Sequence, residues 1–585
     1  MIPRIRLFAL AVAVPFAAAT SLVAQQPEGI PASWHYNGKA RTATGAHGMV
    51  ASGSAIASQV GRDILAAGGN AVDAAVAVGF ALQVTHPEAG NIGGGGFMMI
   101  RMKDGRTYAL DYRETAPAAA NRNMYVDSAG AARVLRDSSG RVIGPMSIDG
   151  ALAAGVPGSV AGMLEAQHRF GKLTLAQVID PAIRLARDGF AVDSFHSRAL
   201  SSGLRTMRRI SPAAVTAYTI NGEAPAPGAV LRQPDLARTL MAIRDHGRDG
   251  FYKGPVAQAI VDEMQRDGGV ISAKDLAGYT PKWREPIEIH YRGYTIWSMP
   301  PSSSGGPTLA MILNIMEGYR PIPPFGSTAL IHLEAEAMRR AFTARNAWLG
   351  DPDFVKMPHL AEMLSKDFAA KERATIDPGH ATPTQALGTA LKDGMNTTHY
   401  SVVDNDGDAV SVTTTLNNSF GSAVLVSGAG FLLNDEMDDF ATLPGKPNMF
   451  GLVQGEINDV QPGKRMLSAM TPSIVVDSTR KLFMVVGTPG GPTIITQVYH
   501  VISNVIDHGM SLPDAVAAPR THHQGLPDRI AMESAGFNPA VLDSLRAMGH
   551  TIGGSVGGDV QAIIRTPTGW LGVSDPRGGG SPAGY

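Results

Sequence analysis

Cysteine is missing from all 585 residues. Its absence excludes disulfides, cysteine nucleophiles and thiolate metal sites. It leaves the compartment open, because an exported protein that needs no oxidation to fold has the same composition. Charge imbalance is missing too. Lys plus Arg number 50 and Asp plus Glu 51, a formal charge of -1, so nothing argues for nucleic acid or an anionic membrane as partner. No Pro/Ser-rich linker, internal repeat or low-complexity tract divides the chain. Beyond the N-terminus, no apolar run approaches the ~20 residues a bilayer span requires. What is present, 44% hydrophobic and 17% charged residues, is the make-up of a globular protein with a large core.

The N-terminus carries an address. Arg4 and Arg6 form a short positive region, residues 7–19 are apolar apart from Pro15, and small residues lead to a cleavage point after Ala24 in Leu22-Val23-Ala24-Gln25. This is the pattern of a secretory signal peptide, with an apolar stretch too short to span comfortably. The alternative is an uncleaved anchor. A cleaved signal over residues 1–24 implies a periplasmic or secreted protein with no stable membrane association.

Apolar spacing predicts an amphipathic helix over 54–67, stopped by Gly68-Gly69, and a second over 71–84. Asn70 caps the second helix and Asp73 stands in its first turn. That helix is apolar nearly all round and reads as buried. A glycine-rich turn through residues 93–96 follows, then strands over 97–101 and 107–112. The middle of the chain, about 146–373, is mostly helical in pattern, with helices over 158–170, 181–188 and 234–246 and another starting near Thr308. After residue 396 short β-like runs take over: 397–404 and 409–416 around Asn405-Asp406-Gly407-Asp408, a hairpin signal, and 473–476 with 482–486. A helix over 493–508 follows. Strands and long helices without strict alternation predict an α+β fold of sheets covered by helical layers.

Three places hold chemistry. If the first hairpin turns about Asp406, Thr397 lies opposite Thr415, and Thr413, Thr415 and Asn417 share one face. Strand propensity alone also explains threonines there. Thr488-Pro489-Gly490-Gly491-Pro492 joins an apolar strand to an apolar helix. Its free N–H groups suit an oxyanion, or it is a plain turn. The acidic run Asn434-Asp435-Glu436-Met437-Asp438-Asp439 can bind an ammonium group or be a solvated turn.

Several motifs, in order, resemble gamma-glutamyltranspeptidases. Thr397-Thr398-His399-Tyr400-Ser401-Val402-Val403-Asp404 resembles the start of that family's small subunit. Gly68-Gly69-Asn70-Ala71-Val72-Asp73-Ala74-Ala75, Thr85-His86-Pro87 and Gly93-Gly94-Gly95-Gly96-Phe97 resemble its large-subunit signature. Asp111-Tyr112-Arg113-Glu114, Pro301-Ser302-Ser303-Ser304-Gly305-Gly306, Lys464-Arg465-Met466-Leu467-Ser468 and Pro489-Gly490-Gly491 also match.

The resemblance implies an N-terminal-nucleophile hydrolase with an αββα sandwich, and a precursor that cuts itself between Asn396 and Thr397. Two subunits result, 25–396 and 397–585, held noncovalently as a heterodimer. Thr397 is then the nucleophile and its own free α-amine the base, since an α-amine titrates near 7.7–8.0. Thr415 orients Thr397, and the N–H groups of Gly490 and Gly491 form an oxyanion hole. Arg113 and Ser468 hold the substrate α-carboxylate, while Asn417, Glu436 and Asp439 hold the α-ammonium. The implied activity is gamma-glutamyl transfer and glutathione hydrolysis, with water, amino acids or dipeptides as acceptors and no cofactor or metal. The sequence departs from the pattern at Ala469, where many relatives carry a second serine, and at Phe450 in a lid over 441–451, where some carry tyrosine.

Other features carry less. Adjacent His522 and His523 point apart on a strand, the 404–408 turn lacks a calcium loop's glycine and glutamate, residues 93–96 lack the Lys-Ser/Thr of a phosphate loop, and His399 reads as a structural strand residue. Two rival functions stand: an amidase with another acyl preference (glutaryl, cephalosporin or poly-gamma-glutamate), favoured by Ala469, and a noncatalytic binding protein, which predicts an unprocessed chain.

Overall fold

The computed structural model describes residues 29–90, 92–384, 397–443 and 445–585. The expected signal peptide and Asn396 lie outside the described residues. Two seven-stranded antiparallel sheets form the centre. One runs in the order Arg41–Gly45, Gly569–Ser574, Gln561–Thr566, Leu482–Gly487, Ser473–Val476, Tyr294–Ser298, Ile287–Tyr291. The other runs Ala583–Gly584, Met49–Ser52, Thr397–Val403, Ala409–Thr415, Gly95–Arg101, Thr107–Asp111, Lys282–Arg284.

The period-two alternation of the strands sorts their side chains into three apolar layers. Val403 and Ala409 join Phe97, Met99, Trp297, Ile474 and Val485 between the sheets. Tyr400, Val402, Val410 and Val412 face outward onto helices Ala55–Ala66, Ala71–Thr85 and Ser159–Phe170. The other sheet is covered by Gly305–Glu317, Thr328–Trp348 and Thr493–Ile506. This is the expected αββα sandwich. Helix Ala71–Thr85 is buried along its whole length, as its apolar circumference requires. Asn70 caps it in a reciprocal box with Asp73.

The sheets approach closely where His399 meets Gly487: a Cβ there would stand 2.2 Å from the imidazole. Burial pushes His399 down to about 3, and its ring nitrogens lie 2.9 Å from Thr413 Oγ1 and 3.1 Å from Ser401 Oγ. It is a neutral residue between the sheets, as its strand position suggested.

The central hairpin has the predicted register, from Val403 opposite Ala409 to Thr397 opposite Thr415. Its turn is organised by Asp404, whose Oδ1 accepts from the Asp406 and Asp408 amides, each at 2.9 Å. The same carboxylate reaches outward, its Oδ2 accepting from the Ala71 amide at 2.9 Å. The hairpin that begins at Thr397 is thereby fixed to the N-terminus of the buried helix.

Three expectations need correction. The predicted helix over 181–188 is the second half of Leu175–Asp188, which starts at the Thr174–Gln177 capping box and carries Pro181 inside. The helix expected near Thr308 begins at Gly305, where the first turn lies so close to Met470 O that a Cβ would stand 2.4 Å away. The middle region also supplies strands Lys282–Arg284, Ile287–Tyr291 and Tyr294–Ser298 to the two sheets. The alternation Ile287-Glu288-Ile289-His290-Tyr291, buried at every second residue, was legible as a strand and was missed.

Candidate active site

Thr397 opens an inner strand, half-buried, with its hydroxyl 3.4 Å from that of Thr415. The Asn417 amide donates to Thr415 Oγ1 at 2.8 Å. Asn417 itself has φ of 77°, in the left-handed region that asparagine tolerates, and its side-chain amide donates to Asp435 O at 3.1 Å. The local hairpin therefore gathers Thr397, Thr415 and Asn417 as its register predicted.

These residues line a tight cavity of about 20 Å³ together with Arg113, Arg345, Glu436, Asp439, Phe450, Ser468, Ala469 and Gly491. Arg113 comes from the end of strand Thr107–Asp111, where the Asp111 carboxylate accepts from the Arg113 amide at 3.0 Å and from Ser302 Oγ at 3.0 Å. Glu436 and Asp439 sit on one 3-10 turn, which puts both carboxylates toward the guanidinium. Arg113 Nη1 is 2.6 Å from Glu436 Oε2, Nη2 is 2.5 Å from Asp439 Oδ2, and Glu114 lies 3.8 Å away. The Glu436 contact is close but outside hydrogen-bond angles, and both oxygens of Glu436 and of Glu114 lack hydrogen bonds.

The electrostatics follow from burial. Desolvation raises Glu436 and Asp439 against the opposing pull of Arg113, and pushes Glu114 up to about 8. Burial lowers Arg113, but Glu436, Asp439 and Glu114 outweigh it and the guanidinium is held charged. The remaining acids of the run are structural. Asp435 Oδ1 accepts from the Asn418 amide at 2.8 Å, and Asp438 accepts from Ser147 Oγ at 2.7 Å and the Met449 amide at 2.9 Å.

Ser468 is placed by zipping to the triple serine: its amide donates to Ser302 O at 3.0 Å, and its carbonyl accepts from the Ser304 amide and hydroxyl at 2.8 and 2.6 Å. Ser468 Oγ accepts from the Met470 amide at 3.1 Å. Gly490 and Gly491 have φ of 138° and 56°, at the entry to helix Thr493–Ile506. Among the described residues neither N–H donates a hydrogen bond. Phe450 lies directly over Gly491, since a Cβ there would be 3.0 Å from its ring. Asn448 closes the Phe450 turn by accepting from the Phe450 and Leu452 amides at 3.1 Å.

Arg345 was not anticipated. Its Nε donates to Ser304 Oγ at 2.9 Å, its Nη1 to Asn346 Oδ1 at 2.8 Å, and its Nη2 is buried without a hydrogen bond. Burial lowers it to about 10. The spacing Met338, Ala341, Phe342, Arg345 is that of one helix face, and an arginine on an apolar face is the signal that would have found it. His522 and His523 do point apart: His522 nitrogens lie 3.0 Å from Thr496 Oγ1 and 2.9 Å from Gln524 Oε1, and His523 Nδ1 accepts from the Gly525 amide at 3.0 Å.

With this geometry in view, the family model for gamma-glutamyltranspeptidase matches residues 57–585. The chain belongs to the gamma-glutamyltranspeptidase family. It is 46% identical over 543 residues to a glutathione hydrolase proenzyme of Pseudomonas sp. (strain A14), covering 92% of this chain and 91% of that one. It is 46% identical over 540 residues to the glutathione hydrolase proenzyme of Escherichia coli (strain K12), covering 91% and 90%. An acylase ACY 1 proenzyme of Pseudomonas sp. (strain SE83) is 38% identical, covering 95% and 97%. Among solved structures, a cephalosporin acylase from Bacillus halodurans superposes with a TM-score of 0.81 at 27% identity, covering 95% of this chain and 99% of that one.

Proposed function

We propose that this chain is a gamma-glutamyltransferase and glutathione hydrolase that cuts itself before Thr397 and works through a gamma-glutamyl ester on the Thr397 hydroxyl. The observation that carries this reading is the cavity itself. Thr397, the first residue of an inner strand, lines one cavity with Gly491, whose amide donates no hydrogen bond, and with the Arg113–Glu436–Asp439 cluster. Family membership supplies the acyl group that such a chamber takes.

In the precursor the Thr397 nitrogen is an amide and accepts no proton. The hydroxyl attacks the carbonyl of Asn396, water opens the ester, and the released α-amine becomes the base for the same hydroxyl. Processing is the on-switch, and the subunits 25–396 and 397–585 remain held by the shared sheets. Thr415, whose oxygen receives the Asn417 amide, orients the nucleophile. The Gly490 and Gly491 N–H groups stabilise the tetrahedral oxyanion, a contribution of roughly 2.7–4 kcal/mol per donor.

The glutamyl end is recognised by ion-pair exchange. Arg113 is closed on Glu436 and Asp439. A bound zwitterion brings an ammonium to these carboxylates and Asn417, and a carboxylate to Arg113, Ser468 and the unbonded Nη2 of Arg345, so no buried charge is left unpaired. The leaving group, such as cysteinylglycine from glutathione, faces the Phe450 side. Water gives hydrolysis and an amino acid or dipeptide gives transfer. No helix among the described residues is long and apolar enough to cross a membrane; export to the periplasm or beyond rests on the signal-peptide pattern of residues 1–24.

The test is a denaturing gel with N-terminal sequencing of the smaller band. Active enzyme should give a fragment beginning Thr-Thr-His-Tyr, and Thr397→Ala one uncut inactive chain; turnover by an intact wild-type chain would overturn the mechanism. One observation favours a second reading. Ala469 lines the cavity where many relatives offer a hydroxyl, which suits an amidase for glutaryl or cephalosporin side chains. Cleavage of glutaryl but not gamma-glutamyl anilide would establish it.

A further inference from the structure

We infer that His86, Glu88 and His196 form a binding site for one divalent transition-metal ion, with zinc the best chemical match. The three side chains are buried and converge from two elements. His86 ends helix Ala71–Thr85, Glu88 follows in the next turn, and His196 stands in the first turn of helix Ser194–Ile210. His86 Nδ1 lies 2.7 Å from His196 Nε2, and Glu88 Oε1 lies 3.8 Å and 3.7 Å from these nitrogens. The three edges bracket the roughly 3.3 Å edge that ligands at about 2.0–2.1 Å make around a tetrahedral zinc. Two imidazoles and one carboxylate with a fourth position for water are a recognised zinc ligand set.

Two further observations point to a cation. The outer nitrogen of His196, Nδ1, lies 2.7 Å from Asp193 Oδ2, and its Nε2 is turned toward His86 and Glu88; a carboxylate behind the imidazole is the supporting arrangement metal-binding histidines adopt. Both oxygens of Glu88 are buried without a hydrogen bond, and a buried carboxylate in that state needs a positive partner. A second cluster of the same residue types shows the contrast. His332 Nδ1 lies 2.8 Å from His550 Nε2, but Glu336 there is already paired with Arg339 and Arg340 and accepts from the Thr382 amide and hydroxyl. That carboxylate is neutralised by two arginines, whereas Glu88 faces only the two imidazoles, at 3.8 and 3.7 Å.

The metal's place in the fold gives it a structural role. Glu88 O accepts from the Phe420 amide at 2.9 Å, three residues beyond Asn417. The Phe420 ring packs on Gly203 of the His196 helix so closely that a Cβ would be 2.4 Å away. An ion held by His86, Glu88 and His196 would tie that helix to the loop that leaves Asn417. Asp193, 45% exposed, marks the entry side.

The test uses the processed, tag-free enzyme, stripped with EDTA and then dialysed with zinc chloride. Elemental analysis should find one zinc per heterodimer, and thermal unfolding should shift upward by about 3 °C or more. X-ray absorption should show two imidazoles at about 2.0–2.1 Å. Glu88→Gln and His196→Gln should lose the zinc and the shift while His550→Gln keeps both. If either variant fails to fold, the wild-type stoichiometry and absorption spectrum decide. Wild type that retains no zinc, or a zinc that survives in folded Glu88→Gln with an unchanged spectrum, overturns the proposal. None of these readouts is turnover, so the outcome is separate from that of the proposed activity.

Discussion

Replacing Arg113 by methionine isolates the electrostatics of the cavity. The experiment is best run in a Thr397→Ala background, where both proteins remain single chains. Arg113 stands 2.6 Å and 2.5 Å from Glu436 and Asp439 and 3.8 Å from Glu114, all buried. Removing one partner of such a cluster costs about 3–5 kcal/mol while the acids stay ionised, but they can escape the cost by taking protons. Their folded pKa values are already raised by burial, Glu114 to about 8. A carboxyl with a raised folded pKa binds more protons folded than unfolded, so its stability contribution is lost as pH rises from about 4.5 through the folded value. Losing Arg113 pushes that value higher. Urea unfolding should therefore show Arg113→Met destabilised only modestly at pH 5 and by about 3–5 kcal/mol at pH 8.5. A penalty equal at both pH values, within about 1 kcal/mol, would refute the idea that Arg113 compensates ionised acids.

Ala469→Ser should lower KM for a gamma-glutamyl anilide by about tenfold, the lower end of the 1.5–3 kcal/mol that a hydrogen bond to a charged group contributes; the 4-aminobutyryl anilide, without the α-carboxylate, should be unaffected. Gly490→Ala places a Cβ 2.4 Å from Thr493 Oγ1 at a φ of 138°, shifting the amide, so kcat should fall roughly 10²–10³-fold with little change in KM. Glu334 is buried, accepts from the Tyr499 hydroxyl at 3.1 Å and is pushed up to about 8. It is therefore protonated when folded and ionised when unfolded between about pH 4.5 and 8, and Glu334→Gln should gain up to roughly 5 kcal/mol over wild type by pH 9 while matching it near pH 4, read by urea unfolding.

What the sequence by itself determined is short-range. The pairing of Thr397 with Thr415 follows from a turn whose Asp404 bonds its own neighbours, because a hairpin's register is set within the few residues that close it. Helix Ala71–Thr85 was equally legible, since Asn70, Asp73 and an unbroken apolar circumference lie within one window. The family motifs named the distant residues but not their state.

Only the tertiary structure decided that Arg113 is closed on Glu436 and Asp439 across more than three hundred residues of chain, that Arg345 enters the cavity from a helix face, and that Glu88 is left without a hydrogen bond beside two histidines. Strand Ile287–Tyr291 was missed although its alternation was legible, whereas Lys282–Arg284 and Tyr294–Ser298 alternate too little to be read and are decided by the sheets they join. Charge state and partnership depend on how much water the surrounding layers exclude, and that exclusion exists only once both sheets and both helical covers have closed around the site.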